Sequence, residues 1–205
     1  MIAVIDYGAG NIFSVKNALD YLGLENKLTS NPEDIKNAGA IILPGVGAFG
    51  WAMNMLELSG LVDLLKEQAK IKPFLGICLG MQLLFDKGFE FGEFKGLGLI
   101  SGYVDKIPEK NLIIPHMGWN KLVIRPNSPI MTGLGDDEYV YFVHSYKAFC
   151  DDKNIVAYCE YGSRVPAMVS DRKYVYGAQF HPEKSGKTGL RILSNFSKLI
   201  TGGNA

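Results

Sequence analysis

A cysteine lies between two glycines in the segment 72–85, where a short apolar run changes into a helical pattern. Gly76 and Gly80 allow a chain that leaves a buried strand to turn sharply into a helix, with Cys78 in a strained conformation between them. Such a turn lifts the sulfur out of the sheet, beside the unpaired first N–H groups of the helix, whose partial positive charge favours the thiolate. Cys78 is therefore a candidate nucleophile. The alternative is a buried cysteine that only packs in a glycine-rich turn.

A histidine and a glutamate two positions apart could supply the base for this cysteine. His181-Pro182-Glu183 follows a predicted strand over residues 174–180. In an extended chain residues i and i+2 project to the same side, roughly 7 Å apart, so Glu183 can turn back to one ring nitrogen of His181. The other nitrogen is then free to deprotonate a thiol and later to protonate a leaving amine. A solvated His-Pro turn with a surface Glu is the alternative, and the Gly-x-Cys-x-Gly turn weakens it.

An oxyanion that forms during such chemistry needs backbone donors. The N–H of Leu79, directly after the nucleophile, is one candidate. The second is an N–H of the loop around Val46 and Gly47, where three glycines in six residues expose the backbone after a strand. Which peptide of this loop points inward is left open by the sequence.

Three other patterns are similar to known binding sites, but each lacks a required feature. Gly8 and Gly10 follow a strand, but the third glycine of the dinucleotide fingerprint would fall on Phe13. Residues 185–188 are similar to the end of a phosphate loop, yet that motif needs a glycine where His181 stands. The three histidines and three cysteines lack the close pairs of a zinc site. The sequence therefore predicts no metal and no cofactor.

Strand and helix patterns alternate from the N-terminus to residue 85. Apolar strand patterns cover residues 2–5, 24–28 and 40–43 and return at Phe74, with helical patterns between them. This repetition implies right-handed crossovers and an α/β fold, with a mostly parallel central sheet and helices on both faces. The carboxyl ends of such strands carry the chemistry, so the glycine loop and Cys78 are expected to lie close together.

The second half of the chain has a different pattern. A connection rich in Gly and Phe is expected over residues 86–98, and a last helix over about 188–200. Between them short strands separated by turn residues predict a mixed or antiparallel C-terminal extension of the sheet. These strands are predicted at residues 99–104, 121–124, 139–144, 155–161, 167–170 and 174–180. His116 and His144 are flanked by aromatic residues, as in a binding surface or a half-buried turn.

The composition favours one soluble globular domain over residues 1–205, since no linker divides the chain. The 21 Lys and Arg balance the 21 Asp and Glu, which argues against nucleic acid or a membrane surface as the main partner. No apolar run approaches the roughly 20 residues that span a bilayer. Three cysteines, an odd number, and a first segment that resembles a strand rather than a secretion signal predict a reducing cytoplasm.

Several segments together are similar to those of one enzyme family. The turn Gly76-Ile77-Cys78-Leu79-Gly80-Met81-Gln82 and the motif His181-Pro182-Glu183 resemble those of the class I (triad) glutamine amidotransferases. Three more segments are similar to one branch of that family, the glutaminase subunits of imidazole glycerol phosphate synthases: Pro44-Gly45-Val46-Gly47, Pro115-His116-Met117-Gly118-Trp119-Asn120 and Tyr141-Phe142-Val143-His144-Ser145-Tyr146. The resemblance runs from Asp6 to the last helix and implies a class I glutamine amidotransferase-like, flavodoxin-like fold.

The resemblance implies L-glutamine as substrate and L-glutamate and ammonia as products. It implies a heterodimer with a cyclase subunit, a (β/α)8 barrel, which takes the ammonia through an internal passage and makes imidazole glycerol phosphate and AICAR in histidine biosynthesis. Cys78 is then the nucleophile, His181 the base and acid, and Glu183 the orienting carboxylate. In the family the glycine loop is poorly oriented until the partner is occupied.

The resemblance also implies binding residues. Glutamine would be held by Gly47, Gln82, Glu90 and the backbone of Ser145 and Tyr146. Glu93 competes with Glu90 for its role because the local sequence is rich in glycine and phenylalanine. The side chains that match partner-facing positions are those of Asn11, Trp119, Tyr141 and Lys184.

Other functions remain open at this stage. Because the chain supplies only ammonia, a paralogous glutaminase subunit could serve a sugar amidotransferase of surface-glycan synthesis. Ile113 stands where some relatives carry a basic partner-facing side chain. A non-catalytic scaffold subunit would be indicated by loss of the sulfur or the base, and neither is lost. A peptidase-type cysteine hydrolase would have no use for the surface at residues 115–120.

Overall fold

The computed structural model describes residues 1–8, 10–108 and 112–200. Ala9, in the predicted Gly8-Ala9-Gly10 turn, lies outside the described residues. The strands are β1 (Ile2–Ile5), β2 (Asn26–Thr29), β3 (Ala40–Gly45), β4 (Phe74–Cys78), β5 (Phe85–Gly88), β6 (Phe94–Lys95), β7 (Ile100–Lys106), β8 (His116–Lys121), β9 (Val123–Ile124), β10 (Tyr139–His144), β11 (Tyr146–Cys150), β12 (Ile155–Glu160), β13 (Arg164–Ser170) and β14 (Val175–Ala178). The helices are α1 (Ile12–Tyr21), α2 (Pro32–Asn37), α3 (Phe49–Leu58), α4 (Val62–Gln68), α5 (Leu79–Gln82) and α6 (Gly186–Lys198).

Eight strands form the central sheet in the order β2-β1-β3-β4-β14-β13-β12-β9. The first five strands in this order are parallel to one another. The last three continue the sheet in antiparallel pairs. The predicted α/β fold, a mostly parallel sheet with an antiparallel C-terminal extension, is confirmed.

Apolar side chains cover both faces of this sheet. One cluster joins strand residues such as Val4 to Leu19 of α1 and Phe196 of α6. The other joins strand residues such as Ile5 to Leu56 of α3 and to residues of α2 and α4. Strands buried on both faces read as continuous apolar runs, which is why β1 and β3 could be recognised in the sequence.

Several strand assignments from the sequence are wrong or incomplete. The expected connection over residues 86–98 contains β6 and most of β5, and the predicted strand at 121–124 is divided between the end of β8 and β9. β8 and β11 were not predicted. β5 and β11 both pair with β7, and β8 pairs with β10, to form two smaller sheets. These strands depend on partners distant in sequence, and in β8 only His116 is buried, so no apolar alternation marks them.

None of the helices in the described part of the chain has the length and apolar character needed to cross a bilayer.

Candidate active site

The glycine-flanked cysteine lies at the sharp turn between β4 and α5. Cys78 has φ 54° and ψ −111°, a conformation that is strained for a residue with a side chain. A Cβ atom on Gly76 would lie 2.5 Å from the Gly80 carbonyl oxygen, and one on Gly80 would lie 1.9 Å from the Leu43 carbonyl oxygen. The two glycines are thus required for close backbone packing, and the turn aims Cys78 into a cavity of about 370 Å³.

Sheet pairing brings the histidine to this cysteine. β14 runs parallel to β4, with Ala178 opposite Ile77, so the two strands end side by side. His181 follows β14 and lines the same cavity as Cys78, close enough for the negative charge of the sulfur to act on the imidazole. More than one hundred positions separate the two residues along the chain, and the parallel pairing brings them to the same cavity.

Glu183 holds the other side of the imidazole. Oε1 of Glu183 lies 2.8 Å from Nδ1 of His181, and both side chains are almost fully buried. The predicted contact is present, but its predicted geometry is wrong. Only His181 has extended backbone angles, and residues Pro182–Lys184 form a 3-10 turn that brings the carboxylate back to the ring.

The triad-like arrangement changes the charge of the imidazole. Burial alone would lower the pKa of His181, but hydrogen bonds to Cys78 and Glu183 and the negative charges of both groups outweigh it and raise the pKa to about 9. The imidazolium is therefore favoured at neutral pH. Oε2 of Glu183 is buried without a hydrogen-bond partner among the described residues, so the carboxylate is committed to His181 through Oε1.

Ser185 fixes the backbone around the histidine, a role that sequence reasoning missed. Its hydroxyl donates to the carbonyl oxygen of His181 at 2.7 Å and accepts the N–H of Tyr141 at 3.0 Å. The N–H of His181 donates to the Tyr141 carbonyl oxygen at 3.1 Å. From the sequence, a serine two residues after Glu183 is expected to be a turn residue. Its role in holding the backbone of His181 becomes visible only from its hydrogen bond to Tyr141 of β10.

The glycine loop faces the cysteine across the cavity. β3 ends at Gly45, directly opposite Cys78 of β4. Val46 and Gly47 then line the cavity together with Cys78 and Leu79, and Gly47 has φ 101°. Residues of this loop and the first residue of α5 thus border the cavity that Cys78 lines.

The cavity also contains the residues implied for glutamine binding. It is lined by Gln82, Glu90, Ser145 and Tyr146. Gln82 donates through Nε2 to Oε1 of Gln179 at 3.0 Å and to the Tyr146 carbonyl oxygen at 3.2 Å.

Glu90 and Glu93 have different surroundings. Oε2 of Glu90 accepts the N–H of Phe49 at 2.8 Å, and burial raises the pKa of Glu90 although this hydrogen bond opposes it. Glu93 pairs with Lys87 at 3.1 Å on the exposed side of the hairpin. Of the two carboxylates, Glu90 therefore lies in the cavity wall.

His144, for which the sequence left open a binding surface or a half-buried turn, lines the cavity. It is buried at the end of β10, and His116 is buried in β8, so neither lies in a half-buried turn. Nδ1 of His144 donates to the Tyr146 carbonyl oxygen at 2.8 Å, and Nε2 lies 3.0 Å from Nδ1 of His116. Burial lowers the pKa of His144 to about 3, with smaller contributions from the charges of His116 and His181. His144 is neutral at physiological pH, which leaves His181 as the titrating base.

The residues that the resemblance implies to face a partner come from four separate segments of the chain. Trp119 lies opposite Tyr141 in the β8–β10 pair, with ring centroids 6.1 Å apart, and Trp119 is 54% exposed. Lys184 is exposed in the 3-10 turn after His181, and Asn11 precedes α1 without a capping hydrogen bond from its side chain. Ile113 is exposed and its carbonyl oxygen accepts the hydroxyl of Tyr161. Nowhere in the described ranges do three or more His, Cys, Asp or Glu residues cluster as a metal site.

Comparison with known proteins gives concordant results. The family model for class-I glutamine amidotransferases matches residues 3–199. The chain is 50% identical over 202 residues to the imidazole glycerol phosphate synthase subunit HisH of Caldanaerobacter subterraneus subsp. tengcongensis, covering 98% of each chain. It is 51% identical over 201 residues to the subunit HisH of Listeria innocua, covering 97% of this chain and 96% of that protein. A crystal structure of a glutamine amidotransferase matches the fold with a TM-score of 0.77, at 20% identity and coverage of 98% of this chain and 100% of that chain.

Proposed function

This chain belongs to the class-I glutamine amidotransferase family, and from that premise we propose that it is the glutaminase subunit of an imidazole glycerol phosphate synthase, hydrolysing L-glutamine with Cys78, His181 and Glu183. One observation carries the proposal. His181 lies beside Cys78 and is hydrogen-bonded to Glu183, in a cavity that Val46, Gly47 and Leu79 also line. We treat residues 1–205 as one amidotransferase domain.

The geometry supports the following steps. Because Nδ1 of His181 bonds to Glu183, Nε2 is the nitrogen left for Cys78, and in the favoured imidazolium it holds the proton that the Cys78 thiol has given up. The thiolate attacks the side-chain carbonyl carbon of glutamine, and the imidazolium gives its proton to the departing nitrogen, which leaves as ammonia. A water molecule, deprotonated by His181, then attacks the γ-glutamyl thioester and releases L-glutamate and the free thiol. One water is consumed, and one glutamate and one ammonia are formed.

Each tetrahedral intermediate carries a negative oxygen that needs donors in place. The N–H of Leu79 and an N–H of the loop at Val46 and Gly47 are the proposed donors, because these residues line the cavity together with Cys78. A donor of this kind is typically worth 10²- to 10³-fold in kcat. The orientation of the loop is therefore expected to affect the rate in addition to the triad.

The rest of the cavity suits the backbone end of glutamine. The carboxylate of Glu90 and the side-chain oxygen of Gln82 can accept the α-ammonium group. The backbone of Ser145 and Tyr146 borders the same space and can pair with the α-carboxylate or amine side. Gly47 also lines the cavity and is proposed to contact the substrate.

The partner is proposed to be a cyclase subunit of the (β/α)8-barrel type. The HisH relatives are named as subunits of imidazole glycerol phosphate synthase, which implies a second subunit. We place its docking surface at Asn11, Trp119, Tyr141 and Lys184, from which ammonia would pass into the partner without reaching solvent.

The decisive experiment measures glutamate release from glutamine by this chain with and without the cyclase subunit. Native activity in the complex and loss of activity in Cys78→Ser are expected. Cys150→Ser is the matched control, because Cys150 is a partly buried thiol whose pKa is raised by burial to about 11. A Cys78→Ser variant as active as native protein would overturn the proposal. A co-purifying sugar amidotransferase in place of the cyclase would overturn only the choice of partner.

A further inference from the structure

The carbonyl group just before the glycine loop is held by a side chain from another strand. The hydroxyl of Tyr7 donates to the Pro44 carbonyl oxygen at 3.0 Å in a buried position. β1 pairs with β3 only from Ala40 to Ile42, whereas β3 continues to Gly45. Tyr7 follows the end of β1, so its side chain supplies a hydrogen bond to β3 beyond the last residue that the backbone of β1 reaches.

The Tyr7 hydroxyl is also in close contact with the start of the loop. Tyr7 is 4% exposed, and a Cβ atom on Gly45 would lie 2.9 Å from its hydroxyl oxygen and 2.9 Å from the N atom of Gly80. Burial and, next, the negative charge of the nearby Cys78 raise the pKa of Tyr7. The Tyr7 hydroxyl therefore keeps its proton and remains a donor to the Pro44 carbonyl oxygen.

The far end of the loop is held as well. α3 begins at Phe49, and Ala48 offers no side-chain cap. The N–H of Phe49 instead donates to Oε2 of Glu90, which comes from beyond β5. Two side chains from other elements thus fix the carbonyl of residue 44 and the N–H of residue 49. The peptides between them include Gly47 at φ 101°.

We propose that Tyr7 is a positioning residue for the oxyanion hole, and this inference rests on the proposed glutaminase function. The hydrogen bond to the Pro44 carbonyl oxygen fixes the plane of the peptide between Pro44 and Gly45. Only the backbone rotations that follow this peptide then decide where the N–H groups of Val46 and Gly47 point. Without the hydroxyl the loop has more orientations, and the donor faces the oxyanion for a smaller fraction of the time. Because the oxyanion exists only after attack, the loss falls on kcat and not on KM.

The test compares Tyr7→Phe with native chain in the complex with the cyclase subunit. We expect kcat for glutamine to fall about tenfold, part of the 10²- to 10³-fold effect of a whole donor, with KM within about twofold of native. Alkylation of Cys78 by iodoacetamide forms no oxyanion, so its rate is expected to be unchanged. Tyr176→Phe is the matched control: Tyr176 is buried to a similar extent in β14, and it is expected to keep native kcat.

Restoring a hydrogen-bond donor at position 7 distinguishes loss of the hydrogen bond to Pro44 from loss of side-chain packing. 4-Aminophenylalanine at position 7 restores an N–H donor and is expected to return kcat to within about twofold of native. Rates are expressed per alkylatable Cys78, so a variant that folds only in part still gives a decisive value. Native kcat in Tyr7→Phe, an equal loss in alkylation, a change confined to KM, or no rescue would each overturn the inference. The Cys78→Ser result decides the glutaminase function independently of this outcome.

Discussion

Nδ1 of His181 lies 2.8 Å from Oε1 of Glu183, and a 3-10 turn that starts at Pro182 brings the two side chains together. Both are removed from water, so the charge of the carboxylate acts on the ring with little screening. The imidazole can turn neither away from Cys78 nor toward solvent without losing this bond. The following predictions test the consequences of this relationship and of the packing around it.

Glu183→Gln should lower kcat for glutamine hydrolysis on the order of 10²-fold or more with little change in KM. The amide keeps an oxygen for the Nδ1–H of His181 but removes the charge that stabilises the imidazolium. Steady-state glutamate release in the complex measures the effect. Glu33→Gln is the control, because Glu33 is an exposed residue paired only with Lys36. Equal activity of the two variants would contradict a catalytic role for Glu183.

The pH dependence of stability should report the raised pKa of His181. A group whose pKa is about 9 in the folded protein and 6.5 when unfolded stabilises the fold fully below pH 6.5, and this contribution is lost as the pH rises through about 9. The shift corresponds to an upper bound of about 3 kcal/mol. Urea unfolding of native chain and His181→Gln between pH 6 and 10 measures it. The native free energy of unfolding should fall relative to the variant across this window; parallel curves would exclude the shift.

Gly80→Ala should destabilise the fold and abolish activity. The added methyl group would lie 1.9 Å from the Leu43 carbonyl oxygen, so β3 and α5 must separate. A loss of at least about 3 kcal/mol in the free energy of unfolding is expected, at the upper end of overpacking effects. Gly135→Ala is the matched control because no atom lies within 4 Å of its added methyl group, and it should stay within about 0.5 kcal/mol of native. A folded, active Gly80→Ala would show that the turn is less tightly packed than described.

Trp119→Ala should weaken binding of the cyclase subunit. An exposed Trp beside Tyr141 is the kind of aromatic anchor that dominates interfaces, and its truncation typically costs about 2 kcal/mol, or roughly 30-fold in Kd. Titration of the partner by calorimetry measures the change. Leu58→Ala removes another exposed apolar side chain, 74% exposed at the end of α3, and should bind as native. If both variants bind equally well, the docking surface lies elsewhere.

The central sheet and the triad candidates could be predicted because their signals are local. β1, β3 and β4 are continuous apolar runs, and strands that alternate with helices must form parallel pairs. Gly76 and Gly80 mark a turn whose need for close backbone contact is a property of glycine itself. A carboxylate two residues from a histidine can reach it in several backbone conformations, so Glu183 was identified although the segment is a 3-10 turn.

The residues that support the triad could be identified only from the tertiary structure. Tyr7, His144 and Ser185 act through bonds to Pro44, Tyr146 and His181, and no spacing in the sequence indicates which distant carbonyl a side chain will meet. The choice of Glu90 over Glu93 likewise depends on which side of the β5–β6 hairpin faces the cavity.

By itself, then, the sequence determined which groups could do the chemistry and which sheet would carry them, because apolar runs and glycine turns constrain the chain locally. The tertiary structure alone decided the register of the short strands and the hydrogen bonds that hold the site, because both depend on pairings between segments far apart in the chain.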